Sequence, residues 1–242
     1  MGAARLTVEY DGTGFAGWAR QPGLRTVQAT LEDAIAALRG GRGDPELVVA
    51  GRTDRGVHAW GQVASHAGAP LPARGLNAVL PGDVSVLASE PAPDGFDARR
   101  DATSRTYCYR LLTRRARSVF EARRALHWPY AIDHDALRSC AAALAGTHDF
   151  TAFTPTETDH VRFERAVLDA EWVDRGDVLE FWITADSFMR HMNRVLMGTM
   201  LQVAGGRRSR ESFVGLLAGR PRAEAGPTAP PHGLYFAAAG YE

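Results

Sequence analysis

The sequence predicts an α+β fold made of two successive halves with antiparallel sheets, and two observations support this prediction. Strand-like and helix-like segments are mixed, and helices do not strictly separate the strands as they would in a doubly wound fold. Each half combines several strand-like segments with about two helical ones, and no sequence repeat relates the halves. We place the boundary near residues 100–106 and divide the chain into an N-terminal domain, 1–104, and a C-terminal domain, 105–242.

The first half begins with an alternating apolar pattern at residues 6–10, which is typical of a half-buried strand. Thr26 is a good N-cap for a helix with one apolar face, and Gly40 with Gly41 ends that helix. Three further segments are predicted to be strands: residues 47–50, 62–66 and 84–90.

The second half begins with a predicted strand at residues 106–112. A helix follows, with Leu137 and Leu144 directed inward and Gly146 as its C-cap. A long helix begins near Met189, and Ser209 caps the last helix. The remaining predictions are strands at 166–173 and 178–185, an irregular Pro-rich tail at 226–232 and a closing strand at 234–236.

The composition bounds the class of protein. Hydrophobic residues make up 45% of the chain, as in ordinary globular proteins. No run of about 18 apolar residues exists, which argues against a membrane span, and the N-terminus lacks the apolar stretch of a secretory signal. Cys108 and Cys140 are predicted to be free buried thiols in a reducing cytoplasm. Neither C-x-x-C nor H-E-x-x-H occurs, so no metal site is indicated.

The charge is balanced overall but unevenly distributed. The formal net charge is zero, and all 28 basic residues are Arg. Nine of them lie within residues 99–124, and Arg207, Arg208 and Arg210 form a second cluster. Such clusters are often only solvated surface, but a concentrated Arg face can also bind phosphates through bidentate contacts.

The densest polar segment, residues 50–66, contains the strongest candidate for chemistry. An apolar segment leads into a turn on which Asp54 lies between Arg52 and Arg55. Two flanking cations keep a carboxylate ionised, which a nucleophile or a base requires. The alternative is a surface turn, where Thr, Asp and Gly are common for backbone reasons.

The segment Gly51-Arg-Thr-Asp54-Arg-Gly-Val-His58 resembles the Asp-centred motif of the tRNA pseudouridine synthase A family. Other segments resemble further motifs of this family in the same order and cover nearly the whole chain: 9–12, 17–21, 75–81, 96–99, 105–109, 188–194 and 233–235. Four residues depart from the usual family pattern: Ala19, Asp97, Asn193 and Val195.

The resemblance implies roles for individual residues. Asp54 would be the catalytic residue, and Tyr107 would stack on the target uracil and transfer a proton. Arg194 would pair with Asp54 and orient it, and Arg52 would fill the space left by the extruded base. Without the resemblance, Tyr107 would be interpreted as a packed strand aromatic and Arg194 as a helix-surface Arg. Besides Arg52, seven residues are expected to bind substrate: Phe96, Asp97, Ala98, Arg99, Arg100, Tyr107 and Arg115.

The resemblance also implies a pseudouridine synthase fold with a central active-site cleft, and a cytoplasmic homodimer that binds tRNA and no membrane. The expected reaction converts uridines 38, 39 and 40 of the anticodon stem-loop to pseudouridine, with no metal and no cofactor. We therefore interpret His58, His66 and His191 as structural. Two rival functions remain, a non-catalytic RNA-binding protein and an Asp-dependent hydrolase of a small nucleoside. The presence of Asp54 argues against the first, and action on free uridine would indicate the second.

Overall fold

The computed structural model describes residues 2–41, 45–158 and 160–242. The chain divides into two compact units, the first comprising Met1–Arg105 and Tyr235–Glu242, the second Thr106–Leu234. The division at residues 104 and 105 assigned the closing strand to the C-terminal half, whereas the structure assigns Tyr235–Glu242 to the first unit.

Ten strands and five α-helices account for most of the regular structure in the described part of the chain. The strands are β1 (Ala3–Tyr10), β2 (Val48–Val49), β3 (His58–Ala67), β4 (Val84–Ala92), β5 (Ala102–Leu112), β6 (Leu126–His127), β7 (Gly146–Asp149), β8 (Glu164–Arg175), β9 (Val178–Ala185) and β10 (Leu234–Tyr241). The helices are α1 (Val27–Leu38), α2 (Ala73–Val79), α3 (His134–Ala142), α4 (Met192–Ala204) and α5 (Arg210–Gly215). Most strand pairs are antiparallel, which confirms the predicted α+β class.

The sheet of the first unit follows the order β4-β1-β3-β10, with β2 also paired to β3. The central strand β1 places Leu6 opposite Ala64 of β3, and both residues are fully buried. The alternation that predicted this strand therefore identifies the side of β1 that enters the core. β10 pairs with β3 in parallel, with Tyr235 opposite His58.

Helix α1 begins and ends as the sequence predicts. The Thr26 hydroxyl oxygen accepts a hydrogen bond from the Ala29 amide at 3.3 Å, and Gly40 follows the helix with a φ of 63°. Helix α2 was not predicted. Its N-cap is Pro72, which makes no side-chain cap, and Leu76 is its one buried residue, so the local signals that identify a helix are weak.

The strands of the second unit follow the order β5-β9-β8-β7, and β6 pairs with β5 in parallel. The prediction that Gly146 caps α3 is wrong. The helix ends at Ala142 with Ala143 as its C-cap, and Gly146, at a φ of 100°, begins β7. Cys108 and Cys140 are free and buried, as predicted. Among the described residues, no helix combines the length and apolar character needed to cross a membrane.

Candidate active site

Asp54 lies on a closed turn between β2 and β3 in the first unit. The Val57 amide donates to the Asp54 carbonyl oxygen at 3.1 Å and closes the turn. Thr53 is buried, Asp54 is half-buried, and Arg52 and Arg55 are exposed. The turn therefore presents one carboxylate between two guanidinium groups that remain accessible to solvent.

The side of the turn that faces the core is held by Tyr10 and Gln62. The Tyr10 hydroxyl lies 2.7 Å from the Thr53 hydroxyl oxygen, and the Gln62 amide nitrogen donates to the Gly51 carbonyl oxygen at 2.8 Å. Burial raises the pKa of Tyr10 to about 12, so its hydroxyl keeps its proton at neutral pH. These contacts fix the residues on both sides of Arg52 and leave the turn little freedom.

A second segment, residues 16–18, packs directly on the same turn. The Trp18 amide donates to the Thr53 carbonyl oxygen at 3.0 Å. Gly17 has a φ of 112°, a conformation that residues with a side chain rarely adopt. A Cβ atom on Gly17 would also lie only 3.0 Å from the Thr53 carbonyl oxygen. Gly17 thus permits the close approach of residues 16–18 to the backbone of the turn that carries Asp54.

The histidines singled out in the sequence make structural contacts. Nδ1 of His58 accepts a hydrogen bond from the Gly12 amide at 3.0 Å, and its ring stacks on Tyr235 at 4.7 Å. Nδ1 of His66 lies 3.1 Å from a guanidinium nitrogen of Arg39, and burial lowers the pKa of this imidazole. No group of three or more His, Cys, Asp or Glu residues within the described ranges is arranged to hold a metal ion.

Residues 96–100 form a second turn of the first unit. The Asp97 carboxylate accepts hydrogen bonds from the amides of Arg99 and Arg100, each at 2.8 Å. The Ala98 carbonyl oxygen accepts a hydrogen bond from the Tyr241 hydroxyl at 2.8 Å, and the Phe96 ring lies 5.3 Å from the Tyr241 ring. Asp97 and Ala98 therefore stabilise this turn. Asp97, which departs from the usual family pattern, caps the turn through its carboxylate.

The two arginines of this turn differ in their surroundings. The Arg100 guanidinium is bound to the Asp101 carboxylate at 2.8 Å and to the Gly95 carbonyl oxygen at 2.7 Å. Arg99 is exposed, and its carbonyl oxygen accepts a hydrogen bond from Arg105. The Arg99 side chain is thus the better placed of the two for an external anion.

Tyr107 lies on β5 in the second unit and is buried. Its ring meets the Phe188 ring edge-on, with centroids 4.9 Å apart and planes inclined by 74°. Phe188 occurs in a family-like motif but was not among the expected site residues. Phe188 therefore packs against the Tyr107 ring, which the sequence could not reveal because β5 and residue 188 are far apart in the chain.

Arg194 lies in the first turn of α4 and is held by the Pro-rich tail. Its Nε donates to the Ala229 carbonyl oxygen at 2.8 Å, and the Ala229 amide donates to the Arg194 carbonyl oxygen at 2.9 Å. A Cβ atom on Gly198 would overlap the Pro227 carbonyl oxygen, so this glycine lets the tail lie against the helix. The Tyr109 hydroxyl, on β5, donates to the Pro230 carbonyl oxygen at 2.7 Å and gives the tail a second point of attachment.

The chain enters α4 through an unusual backbone conformation. His191, the N-cap of α4, has a φ of 62°, and it is the one residue other than glycine with a positive φ in the described ranges. The Thr154 hydroxyl donates to the Arg190 carbonyl oxygen at 3.1 Å, which fixes the residue before it. These features set the direction in which the helix carrying Arg194 begins.

The arginines of residues 99–124 do not form one uniform face. The Arg105 guanidinium donates to the Ala50 carbonyl oxygen at 3.1 Å and Arg110 to Glu121 at 2.8 Å, so both are committed within their own units. Arg115 is exposed in a loop of the second unit. Arg52 and Asp54 thus share one turn of the first unit and residues 96–100 another, while Tyr107, Arg115 and Arg194 belong to the second unit.

Comparison with known proteins shows the family. A family model described as tRNA pseudouridine synthase matches residues 140–242. The tRNA pseudouridine synthase A proteins of Bacillus pumilus and Bacillus subtilis are each 40% identical to this chain over 238 residues, which cover 96% of both sequences. A fainter structural likeness, with a TM-score of 0.37 and 11% identity, covers 82% of this chain and 53% of a chain in the crystal structure of a Cbf5-Nop10-Gar1 complex. The sequence identity over nearly the full length of both relatives confirms the resemblance of the motifs, and this chain belongs to the tRNA pseudouridine synthase A family, whose members are isomerases.

Proposed function

We propose that this chain converts uridine to pseudouridine at positions 38, 39 and 40 of the tRNA anticodon stem-loop, with no cofactor. The observation that carries the proposal is 40% identity to relatives named tRNA pseudouridine synthase A over 96% of both chains. The reaction breaks the bond between N1 of uracil and C1′ of ribose, turns the base and joins C5 to C1′. C5 loses a proton and N1 gains one, so no atom is added or removed overall.

Asp54 is the proposed catalytic residue. Its turn is braced through Thr53 and Gly51, so the carboxylate is presented without a large loss of conformational freedom on binding. Arg52 and Arg55 flank Asp54 on the turn, and all routes require an ionised carboxylate. Three routes fit this group: attack on C6 of the base, attack on C1′ of the ribose, or abstraction of the C2′ proton.

The other proposed roles belong to Tyr107, Arg194 and Arg52. Tyr107 stacks on the target uracil and moves the proton, and its edge-on contact with Phe188 supports this by fixing the ring plane. Arg194 is the third proposed catalytic residue. The hydrogen bond from its Nε to the Ala229 carbonyl oxygen limits the positions that its guanidinium group can take. Arg52 is exposed beside Asp54 and fills the space of the extruded base.

Extrusion of a base costs a few kcal/mol, which phosphate contacts can offset. Arg99 and Arg115 are proposed for this role because both guanidinium groups are exposed. Phe96, Asp97, Ala98 and Arg100 complete the proposed RNA-binding turn. Because three neighbouring positions are modified, recognition by shape dominates recognition of individual bases.

We further propose that the enzyme is a cytoplasmic homodimer, with one tRNA contacting both subunits. The zero net charge supports association, since little electrostatic repulsion opposes it. Light scattering without RNA tests this, and a monomer at micromolar concentration would contradict it. Mixing Asp54→Asn subunits with subunits that lack the exposed arginines tests shared docking, because only a mixed dimer can regain activity.

The function itself is tested by incubating the protein with unmodified tRNA and mapping pseudouridine at single-nucleotide resolution. We expect product at positions 38, 39 and 40 and at no other uridine. Free uridine is the control, since the rival hydrolase would release uracil from it. Tight tRNA binding without any pseudouridine would instead indicate the non-catalytic RNA-binding protein.

A further inference from the structure

An exposed aromatic side chain projects from a turn in the second unit. Residues 118–121 form this turn, in which the Glu121 amide donates to the Ser118 hydroxyl oxygen at 3.3 Å. Ser118 is buried, whereas the two residues between these ends, Val119 and Phe120, are 78% and 84% exposed. Phe120 is thus the most exposed aromatic residue among those that the structure describes.

Hydrogen bonds hold the turn on both sides, so Phe120 is exposed on an ordered turn. The Arg110 guanidinium donates to both carboxylate oxygens of Glu121, at 2.8 and 3.3 Å, and to the Arg124 carbonyl oxygen at 3.3 Å. On the preceding side, Arg114 donates to the Asp177 carboxylate at 2.9 Å and to the Ala116 carbonyl oxygen at 3.0 Å. Bracing of this kind reduces the entropy lost when a partner binds.

The charges around the turn are positive. Arg115, Arg117 and Arg123 are exposed around it, whereas two carboxylates beside it are ion-paired, Glu121 with Arg110 and Asp177 with Arg114. A second copy of this chain docked here about a two-fold axis would place the same arginines against one another. Like charges at an interface oppose association, so a polyanion suits this surface better than a second copy does.

We propose that Phe120 is a stacking platform for an unpaired tRNA base, with Arg115, Arg117 and Arg123 binding the adjacent phosphates. An aromatic ring flanked by cations is the arrangement by which proteins hold single-stranded nucleic acid, because every base has a π-face and every nucleotide a phosphate. The inference rests on the proposed tRNA substrate and adds to it a docking contact that takes no part in the chemistry. Phe120 therefore contributes to affinity and not to the chemical step.

The test is equilibrium binding of unmodified tRNA to the full-length protein and three variants at fixed salt. We expect Phe120→Ala to weaken binding by about tenfold, the scale of one lost base–aromatic stack. Phe120→Trp should bind within about twofold of wild type because it keeps a π-face, and Phe120→Leu should be as weak as Ala. The dependence of affinity on salt should not change, since no charge is removed.

Leu168→Ala is the matched control. Leu168 is an apolar residue of β8 that is 61% exposed, and its exposed neighbours Asp169 and Glu171 are acidic. We expect this variant to bind tRNA like wild type. Because Phe120 is exposed, all its variants should melt at the wild-type temperature, which shows that they fold.

Two results would overturn the inference. Wild-type affinity in Phe120→Ala, or in Phe120→Leu, would exclude stacking. Conversion of Phe120→Ala to a smaller species in light scattering would assign the residue to contact with a second copy. Failure of the proposed function is distinguishable from both, because it appears as absence of pseudouridine in the wild-type reaction whatever the binding of the Phe120 variants.

Discussion

Nε of Arg194 donates to the carbonyl oxygen of Ala229 at 2.8 Å, and the Ala229 amide returns a hydrogen bond of 2.9 Å to the Arg194 carbonyl oxygen. One tail residue thus binds both the side chain and the backbone of the same arginine. The position of this guanidinium therefore depends on a segment that lies far along the chain, and changes in that segment should affect Arg194 without touching it.

Gly198→Ala tests this dependence. The added Cβ atom would overlap the Pro227 carbonyl oxygen, so the tail must move and carry Ala229 with it. We expect a loss of stability of about 1–3 kcal/mol, the usual cost of overpacking, and a lower rate of pseudouridine formation. Thermal melting and single-turnover kinetics measure the two effects.

Gly215→Ala is the control for that change. Gly215 also lies in a helix, α5, but a Cβ atom there would meet nothing within 4 Å. Because Gly215 is exposed and is the last residue of α5, the stability of this variant should stay within about 0.5 kcal/mol of wild type. A Gly198→Ala protein as stable and active as wild type would show that the tail does not constrain Arg194.

Asp54→Asn should reduce pseudouridine formation to background. The amide keeps the shape of the carboxylate but removes the charge required of the proposed nucleophile or base. Because Asp54 contributes no positive charge to RNA binding, tRNA affinity should stay within about twofold of wild type. Turnover near that of wild type would refute the assignment of Asp54.

Tyr107→Phe separates stacking from proton transfer. Phe keeps the ring that packs edge-on against Phe188, so folding and tRNA affinity should not change. Loss of the hydroxyl should lower the single-turnover rate by about 10²–10⁴, the usual contribution of a general acid or base. If the Phe variant reacts at the wild-type rate, the contribution of Tyr107 is limited to stacking.

Arg99→Gln and Arg115→Gln should each weaken binding of every tRNA alike. Each lost phosphate contact should reduce the slope of log affinity against log salt by about one. The modified positions should not shift, since phosphate contacts carry no sequence information. Arg138→Gln is the control because Arg138 is exposed on α3 and paired with Asp135 at 2.8 Å. Normal salt dependence in both variants would place the RNA elsewhere.

Local signals in the sequence account for the elements that were predicted well. Thr26 and Ser209 cap α1 and α5 through their own hydroxyl groups, and such contacts lie within a few residues of their cause. Gly146 was misassigned because a glycine with positive φ can end a helix or begin a strand, and here its pairing with Val167 of β8 decides. That partner is not a sequence neighbour, so periodicity could not identify it.

The candidate site shows the same limit. The turn at Asp54 was predictable because an apolar strand and turn-forming residues are adjacent in sequence. The support for that turn from Tyr10 and Trp18 comes from segments that precede it by many residues. The hydrogen bond between Arg194 and Ala229 likewise depends on the close approach of the tail to α4, which Gly198 permits. An isolated glycine within a helical pattern does not reveal which segment packs against it.

The return of Tyr235–Glu242 to the first unit sets an order of events during synthesis. A ribosome adds roughly 5–20 residues per second from the N-terminus, so β10 emerges only after every residue of the second unit has been made. Until then β3 lacks the neighbour that pairs with it at His58 and Ala59. An open strand edge can recruit other chains, so the start of β3 is open to such pairing for the time taken to translate the second unit.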